Sequence, residues 1–175
     1  MLSIAGSGVD MVCAPTMMQF PNGKRQRRAF VSNTRVSQAI ISSSLSTQSM
    51  FFHRDFILRI GGWNEALLRW NDWELGIRAL CYHPKVEYSN KAYHTIHLHN
   101  DSITGVSFSQ DYSHLRKAAT IVEELLLHAN LPHKELSASL NALAAKLYLL
   151  SQQLHIEKDK NAENDAIALA KRLTV

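Results

Sequence analysis

The sequence lacks any long uninterrupted hydrophobic run. A membrane-spanning helix needs about 20 consecutive apolar residues, and no stretch of the 175 residues approaches that length. The first residues, Met1-Leu2-Ser3-Ile4, carry no basic flank and are soon followed by Gly6 and Gly8, which does not match a secretory signal. These absences predict a cytoplasmic protein that is not integral to a membrane.

Cysteine is scarce as well. The chain has two cysteines, Cys13 and Cys81, which lie far apart in sequence and among apolar neighbours. Cysteines in such surroundings behave as small hydrophobic residues. They predict buried free thiols in a reducing compartment, with a single disulfide between them as the alternative.

The composition excludes a disordered chain and leaves room for a real core. Hydrophobic residues make up 46% of the sequence and charged residues 19%, which is typical of globular proteins. A chain of this length fits one domain, or one domain with an appendage. Residues 1–99 have 11 Lys and Arg against 6 Asp and Glu, whereas residues 100–175 have 8 against 9. The positive part suits an anionic ligand, although a modest basic excess is also common in ordinary soluble proteins.

Short strands and turns are predicted for the first 60 residues. Val9, Met11 and Cys13 alternate with Asp10 and Val12, which predicts a strand. Asn22-Gly23 predicts a tight turn. Residues 24–28 form a basic segment, which we interpret as a solvated loop, with binding of diphosphate or of a lipid phosphate at a membrane surface as the alternative. No nucleic-acid motif accompanies it. Phe51-Phe52 predicts a buried strand, and residues 54–60 a brief helix ended by Gly61.

A second helix and two strands are predicted next. Asn71 has the character of an N-cap, and Glu74 three residues later completes a capping-box pattern. Apolar residues then follow helical spacing until His83-Pro84 ends the helix. Residues 86–88 and 92–99 have the pattern of strands.

The character of the chain changes after about residue 110. A helical stripe comes first, and Leu131-Pro132 breaks it. Six leucines then alternate at spacings of four and three, as in a coiled-coil seam: Leu136, Leu140, Leu143, Leu147, Leu150 and Leu154. We therefore expect residues 113–175 to form an α-helical appendage that packs through this stripe and not through a sheet. The seam can dock on the chain itself or pair with a second copy to give a homo-oligomer.

Two glycines, two tryptophans and several carboxylates lie close together in the middle of the sequence. The segments are Gly61-Gly62-Trp63-Asn64-Glu65 and, after a short gap, Asn71-Asp72-Trp73-Glu74-Leu75 with Arg78. A glycine pair lets the backbone approach a ligand closely, and an indole ring can stack on the apolar face of a sugar. Carboxylates at a helix start can instead simply favour the helix dipole, and a tryptophan can simply be core.

These segments resemble the acceptor-side motif of family 2 glycosyltransferases. In that family, Gly-Gly-aromatic-x-Glu precedes an acidic Asp-aromatic-x-Leu-x-x-Arg segment. The resemblance extends upstream to residues 49–54 and downstream to His99-Asn100-Asp101-Ser102, and covers roughly the first two-thirds of the chain. It implies an α/β fold in which residues 1–112 are the acceptor-side half of a GT-A-type nucleotide-diphospho-sugar transferase.

The resemblance also implies roles for individual residues. Asp72 stands at the position of the general base, which accepts the proton of an acceptor hydroxyl during inverting transfer. His99 stands at the position of a histidine that can complete the coordination of a divalent metal, Mn or Mg. The implied substrate-binding residues are Gly61, Gly62, Trp63, Trp73 and Arg78. The implied partners are a nucleotide-diphospho-sugar donor and a saccharide or lipid-linked acceptor.

Two departures limit what the resemblance implies. The family's usual glutamate before the base is Asn71 here, which removes one negative charge. The sequence contains no Asp-x-Asp, which in the family binds metal and diphosphate. The resemblance therefore implies a truncated gene product, an isolated fragment, or a chain that depends on a partner for donor binding. The alternatives are a non-catalytic interaction module derived from a glycosyltransferase and a small metal-binding protein built on His94, His97 and His99.

Overall fold

The computed structural model describes residues 8–28, 34–98 and 107–174. These residues form a mixed α/β structure of six strands, six α-helices and a 3₁₀ turn at Thr47–Ser49. The strands are β1 (Met11–Cys13), β2 (Thr16–Gln19), β3 (Arg25–Arg28), β4 (Met50–Phe52), β5 (Val86–Tyr88) and β6 (His94–His97). The helices are α1 (Val36–Ser42), α2 (Arg54–Arg59), α3 (Asn71–Cys81), α4 (Tyr112–His128), α5 (His133–Ile156) and α6 (Lys160–Leu173). The α/β class is thus confirmed.

The strands form two small sheets of three. In one sheet β1 lies between β4 and β5, antiparallel to β4 and parallel to β5. In the other, β2 lies between β3 and β6, antiparallel to β3 and parallel to β6. The strands predicted for residues 9–13, 51–52, 86–88 and 92–99 all occur, although the last is shorter than expected.

The basic segment at residues 24–28 was expected to be a loop, and this expectation is wrong. Arg25–Arg28 form strand β3, which pairs with β2 so that Arg27 lies opposite Met17. The turn before it is confirmed: Gly23 has φ of +79° and its N–H donates to the carbonyl of Phe20 at 2.9 Å. Met17 and Met18 of β2 lie opposite Arg27 and Gln26 of β3 in this hairpin.

Three helices follow residue 110, as the leucine and alanine spacing predicts. Helix α5 packs against α6 and α1, and α4 packs against α3 and α5. Leu143, Leu147, Leu150 and Leu154 are buried. Most of the leucine seam therefore docks on the chain itself, and its inner face is not free to join a second copy.

One hydrophobic core joins both parts of the chain. It runs from Met11 and Cys13 in β1, through the buried face of α3, to Leu154 in α5 and Leu173 in α6. The division at residue 112 stays a prediction, although α4 does begin at that residue.

The two cysteines are free and buried, as the first of the two alternatives predicts. Burial raises the pKa of each thiol to about 12, because an apolar environment disfavours the thiolate. Neither thiol is therefore suited to act as a nucleophile at neutral pH.

Within the described ranges, none of the helices combines the length and the apolar character that crossing a bilayer requires.

Candidate functional site

Asp72 lies in the first turn of α3, as its place in the motif predicts. The N-cap of that helix is Trp70, whose φ of 58° lies in the left-handed region, and the expectation of an Asn71 N-cap is wrong by one residue. The Asp72 carboxylate accepts a hydrogen bond from the N–H of Trp73 at 2.8 Å and a longer one from Thr47 at 3.4 Å. It remains partly exposed, so it is accessible for proton transfer.

Glu74 does not complete a capping box. Its side chain is 1% exposed and forms a bidentate pair with Arg78, with N···O distances of 2.7 and 3.1 Å. The same guanidinium donates to the carbonyl of Ile60 and to that of Gly62, the latter at 2.8 Å. Arg78 therefore neutralises a buried carboxylate and fixes the loop that follows α2.

The glycine pair adopts the backbone conformation that glycine permits. Gly61 and Gly62 have φ values of +86° and +64°, and the N–H of each donates to a carbonyl of α2. This is the expected helix end. The positions thus serve to turn the chain sharply and to present the Gly62 carbonyl to Arg78.

Two of the predicted site residues, Asp72 and Arg78, lie on different faces of α3. Successive helical residues are about 100° apart around the axis, so Asp72 and Glu74 point roughly 200° apart. The face with Glu74 and Arg78 meets Gly62, whereas the contacts of Asp72 are with Thr47. Arg78 therefore binds the glycine turn, whereas Asp72 faces a different part of the chain.

The two tryptophans of the motif have different environments. Trp63 is 43% exposed, so one of its faces is available to a ligand. Trp73 is buried, and its indole N–H donates to the carbonyl of Ile40 at 3.1 Å. Trp73 can thus pack beneath a binding site but does not expose a ring face to solvent.

The charge of Asp72 acts on a lysine, Lys146, that no motif of the sequence indicates. The ammonium of Lys146, from α5, lies 4.7 Å from the ring centroid of Trp70 and 5.0 Å from that of Trp73. It also donates to the hydroxyl of Ser43 at 2.5 Å. Burial lowers the pKa of Lys146 to about 8, and the negative charge of Asp72 offsets part of this fall.

Lys146 lies in a groove of about 360 Å³ between α1 and α5, here called the Lys146 groove. Its lining includes Ile41, Ser43, Trp70, Phe108, Leu149 and Gln153. A sequence signal for this site does exist: Lys146 is the only residue with a permanent charge between Glu135 and Glu157. The groove unites distant parts of the chain, however, so the spacing of residues alone does not predict it.

The predicted metal ligand, His99, lies outside the described residues. In residues 8–28, 34–98 and 107–174, no three His, Cys, Asp or Glu side chains are grouped in a way that could hold a metal ion. His94 and His97 both lie on β6, but at its two ends. His94 stacks on the ring of Phe51 with centroids 5.4 Å apart. The metal predictions therefore find no ligand set among these residues.

Comparisons with protein-family models, with curated proteins and with solved structures find no match to this chain.

Proposed function

We propose that this chain is the acceptor-side portion of an inverting, family 2-like glycosyltransferase of GT-A type, with Asp72 as general base. One observation carries the proposal: the Asp72 carboxylate lies partly exposed in the first turn of α3, at the position that the motif gives to the general base. Its helix is also tied through Arg78 to the Gly61-Gly62 turn. Arg78 thus links two segments of the motif, α3 and the Gly61-Gly62 turn, which supports the proposal.

The reaction requires little of the protein at the acceptor side. The carboxylate of Asp72 accepts the proton of an acceptor hydroxyl while the oxygen attacks the anomeric carbon of the donor. The bond from that carbon to the diphosphate oxygen breaks, and the nucleoside diphosphate leaves with the electron pair. The two oxygens of Asp72 accept hydrogen bonds from the N–H groups of Trp73 and Thr47, which hold the side chain in place while it stays partly exposed.

A divalent metal, Mn or Mg, is expected for the intact enzyme. The described residues of this chain do not supply a ligand set for such an ion. Diphosphate recognition then belongs to His99 together with a donor-binding half, or to a partner chain. We further propose a cytoplasmic location, with an acceptor that is a saccharide or is linked to a lipid.

The alternative is a non-catalytic interaction module that forms homo-oligomers through the leucine seam. Its main support weakens because Leu143, Leu147, Leu150 and Leu154 are part of this chain's own core. The seam that would join two copies is already occupied by α1 and α6. We therefore favour the transferase.

The test is transfer from uridine and guanosine diphosphate-sugars at millimolar concentration with manganese, followed by mass spectrometry of the products. Asp72→Asn should lower the rate about 10²- to 10⁴-fold, the typical contribution of a general base. Asp55→Asn is a matched control, because Asp55 also lies in the first turn of a helix, with its side chain 79% exposed.

Equal rates for Asp72→Asn and the unchanged chain would contradict the role of Asp72. The unchanged chain should transfer sugar only slowly, because its described residues supply no ligand set for a metal that would hold the diphosphate. If no donor gives any product even at millimolar concentration, the non-catalytic alternative becomes the better account.

A further inference from the structure

The strands β2 and β3 and the turn between them, here called the basic hairpin (residues 16–28), carry charge of one sign only. Four cations lie on the hairpin: Lys24, Arg25, Arg27 and Arg28. The chain has no acidic residue between Asp10 and Asp55. Among the described residues, none of the four cations forms an ion pair with a carboxylate. The hairpin is therefore a concentration of positive charge that the rest of the described chain does not neutralise.

The basic hairpin projects from the body of the protein. At its base, Thr16 is 2% exposed, whereas residues 21–27, which form the turn and most of β3, are all exposed. The main contacts of its strands are with each other and with β6. A strand rises about 3.3 Å per residue, so the turn lies on the order of 15 Å from Thr16. The cations are thus presented to solvent at the outer end of a protrusion.

Apolar residues accompany the cations on this hairpin. Met17, Met18 and Phe20 are partly exposed, and they belong neither to the hydrophobic core nor to the residues packed against it. Ile96 of the neighbouring strand β6 shares both properties. Apolar side chains beside a group of cations, without a place in the core, are typical of a surface that binds an anionic lipid interface.

We propose that the basic hairpin docks this chain on the surface of a bilayer that contains anionic lipids. Lys24, Arg25 and Arg27 contact the anionic head groups, and Phe20 and Pro21 at the turn enter the layer between the head groups and the acyl chains. The docking is peripheral, because the hairpin is too short to cross a hydrocarbon core of about 30 Å. The proposal does not depend on the transferase function, although a lipid-linked acceptor would lie in the same surface.

The arrangement of the cations does not favour a single small anion. Arg27 donates to the carbonyl of Asn90 at 2.8 Å, and Arg28 donates to that of Ser43 at 3.1 Å. Successive residues of a strand point to opposite faces, so these two guanidinium groups do not converge on one phosphate. Arg25 and Arg27 share a face but lie about 7 Å apart along the strand. Cations spread in this way suit an extended surface of anions.

A lipid surface also accounts for the apolar residues better than a dissolved polyanion does. Single-stranded nucleic acid is bound by stacking its bases on aromatic side chains, and Phe20 is the one aromatic residue in the sequence of the hairpin. A nucleic acid or an acidic polysaccharide would leave Phe20 and the two methionines in contact with water. A bilayer interface offers phosphate groups for the arginines and an apolar layer for these side chains.

Co-sedimentation of the full chain with lipid vesicles tests the proposal. The probes are vesicles of phosphatidylcholine alone and vesicles of equal parts phosphatidylcholine and phosphatidylserine. Each Lys or Arg near an anionic surface strengthens binding roughly fivefold, so three exposed cations should favour the anionic vesicles by about 100-fold. High salt should remove this preference, because it screens exposed charges. Equal binding to the two kinds of vesicle, or binding to neither, would overturn the proposal.

Two pairs of charge substitutions locate the surface. Arg25→Gln with Arg27→Gln removes two cations of the hairpin and should weaken binding to the anionic vesicles about 25-fold. Lys134→Gln with Lys171→Gln removes the same charge from exposed positions of α5 and α6, and should leave binding nearly unchanged. All four side chains are exposed, so both variants should fold, which circular dichroism verifies. Equal losses for the two pairs would mean that net charge drives binding without the hairpin, and would overturn the proposal.

A further substitution separates a lipid surface from a nucleic acid. Phe20→Ala should weaken binding to the anionic vesicles about tenfold, because the transfer of a phenylalanine side chain out of water is favourable by that order or more. Leu127→Ala, at a residue of α4 that is 56% exposed, should leave binding unchanged. Equal binding by these two variants would contradict entry of the turn into the bilayer and overturn the proposal.

Polyuridylate is the competing probe. We expect it to bind more weakly than the anionic vesicles. Tighter binding of polyuridylate that is lost in Arg25→Gln with Arg27→Gln, and that is indifferent to Phe20→Ala, would make the hairpin a nucleic-acid site and overturn the proposal. None of these measurements needs a sugar donor or Asp72, so their outcome is independent of the test of the transferase.

Discussion

The two parts of this chain are held together in different ways. Residues 8–98 contain strands of three or four residues, and their links are specific polar contacts between distant positions, such as Lys85 with Asp10 and Ala14 with Ser49. Residues 107–174 contain helices of 17, 24 and 14 residues that bury leucine and alanine. Both parts bury apolar side chains in the shared core, and burial of apolar area is non-directional. The short strands of the first part depend in addition on individual polar groups.

The largest effect is predicted for a substitution that breaks a buried ion pair in the first part. Arg78→Met leaves Glu74, which is 1% exposed, without its counter-ion and the Gly62 carbonyl without a donor. Removing one partner of a buried pair typically costs about 3–5 kcal/mol. The free energy of unfolding, measured by urea denaturation at pH 7, should fall by that amount.

The control is an ion pair in the helical part. Arg172 pairs bidentately with Glu123 at 2.6 Å; the arginine side chain is 56% exposed and that of the glutamate 11%. Once the exposed guanidinium is removed, water can reach the carboxylate, so Arg172→Met should cost less than Arg78→Met, about 1–2 kcal/mol. The double variant Glu74→Gln with Arg78→Met should recover part of the loss. Equal costs for the two arginines would mean that the two parts do not differ in this respect.

The next effect compares one alanine substitution in each part. A Cβ at Gly76 of α3 would lie 2.7 Å from Leu45 Cβ and 2.9 Å from Leu45 Cδ1. Overpacking costs about 1–3 kcal/mol and outweighs the gain of about 1 kcal/mol in helix propensity. Gly76→Ala should therefore be destabilising.

In α5, a substitution by alanine should instead be stabilising. Ser139 is fully buried, and among the described residues its hydroxyl has no hydrogen-bond partner. Ser139→Ala removes an unsatisfied polar group and improves helix propensity, so it should raise the free energy of unfolding by about 1 kcal/mol. Thermal and urea denaturation of both variants test the pair. A stabilising Gly76→Ala, or a destabilising Ser139→Ala, would contradict the contrast.

The sequence predicts the structure well where that structure depends on residues that are close together in the sequence. The spacing of leucines and Leu131-Pro132 locate α4, α5 and the break between them, because a helix buries one stripe whatever it packs against. Gly61 marks the end of α2 for a similar reason, since the positive φ is a local requirement. The helical part was therefore almost fully predictable.

Long-range contacts explain the errors. Asn71 and Glu74 have the spacing of a capping box, but Arg78 and the buried position of Glu74 override it. The strand at residues 25–28 forms because β2 is adjacent in space, which a local basic pattern does not reveal. The Lys146 groove was missed since it needs α1, α3 and α5 together. The sequence correctly predicts that Asp72 lies at the start of a helix, but it does not indicate the contact of Asp72 with Thr47.

The smallest predicted effect concerns Lys146, which joins the two parts. Burial lowers its pKa from 10.5 to about 8. Between pH 8 and 10.5 the unfolded chain thus keeps a proton that the folded chain has lost, so the contribution of Lys146 to stability rises with pH. Below pH 8 both states are protonated, and the cost of burying the charge is present in full.

Lys146→Met isolates this contribution, because methionine keeps most of the apolar stem. The contribution of the two cysteines to the free energy of unfolding decreases at high pH. Their pKa values are raised in the folded chain, so folding becomes less favourable once the unfolded thiols ionise above about pH 9. Both proteins share that contribution, so the difference in unfolding free energy between them removes it. We expect this difference to shift in favour of the unchanged chain by on the order of 1 kcal/mol between pH 8 and 10. If this difference does not change with pH, or changes in the opposite direction, the ammonium stays charged. Attraction by Trp70, Trp73 and Asp72 would then offset the desolvation of Lys146.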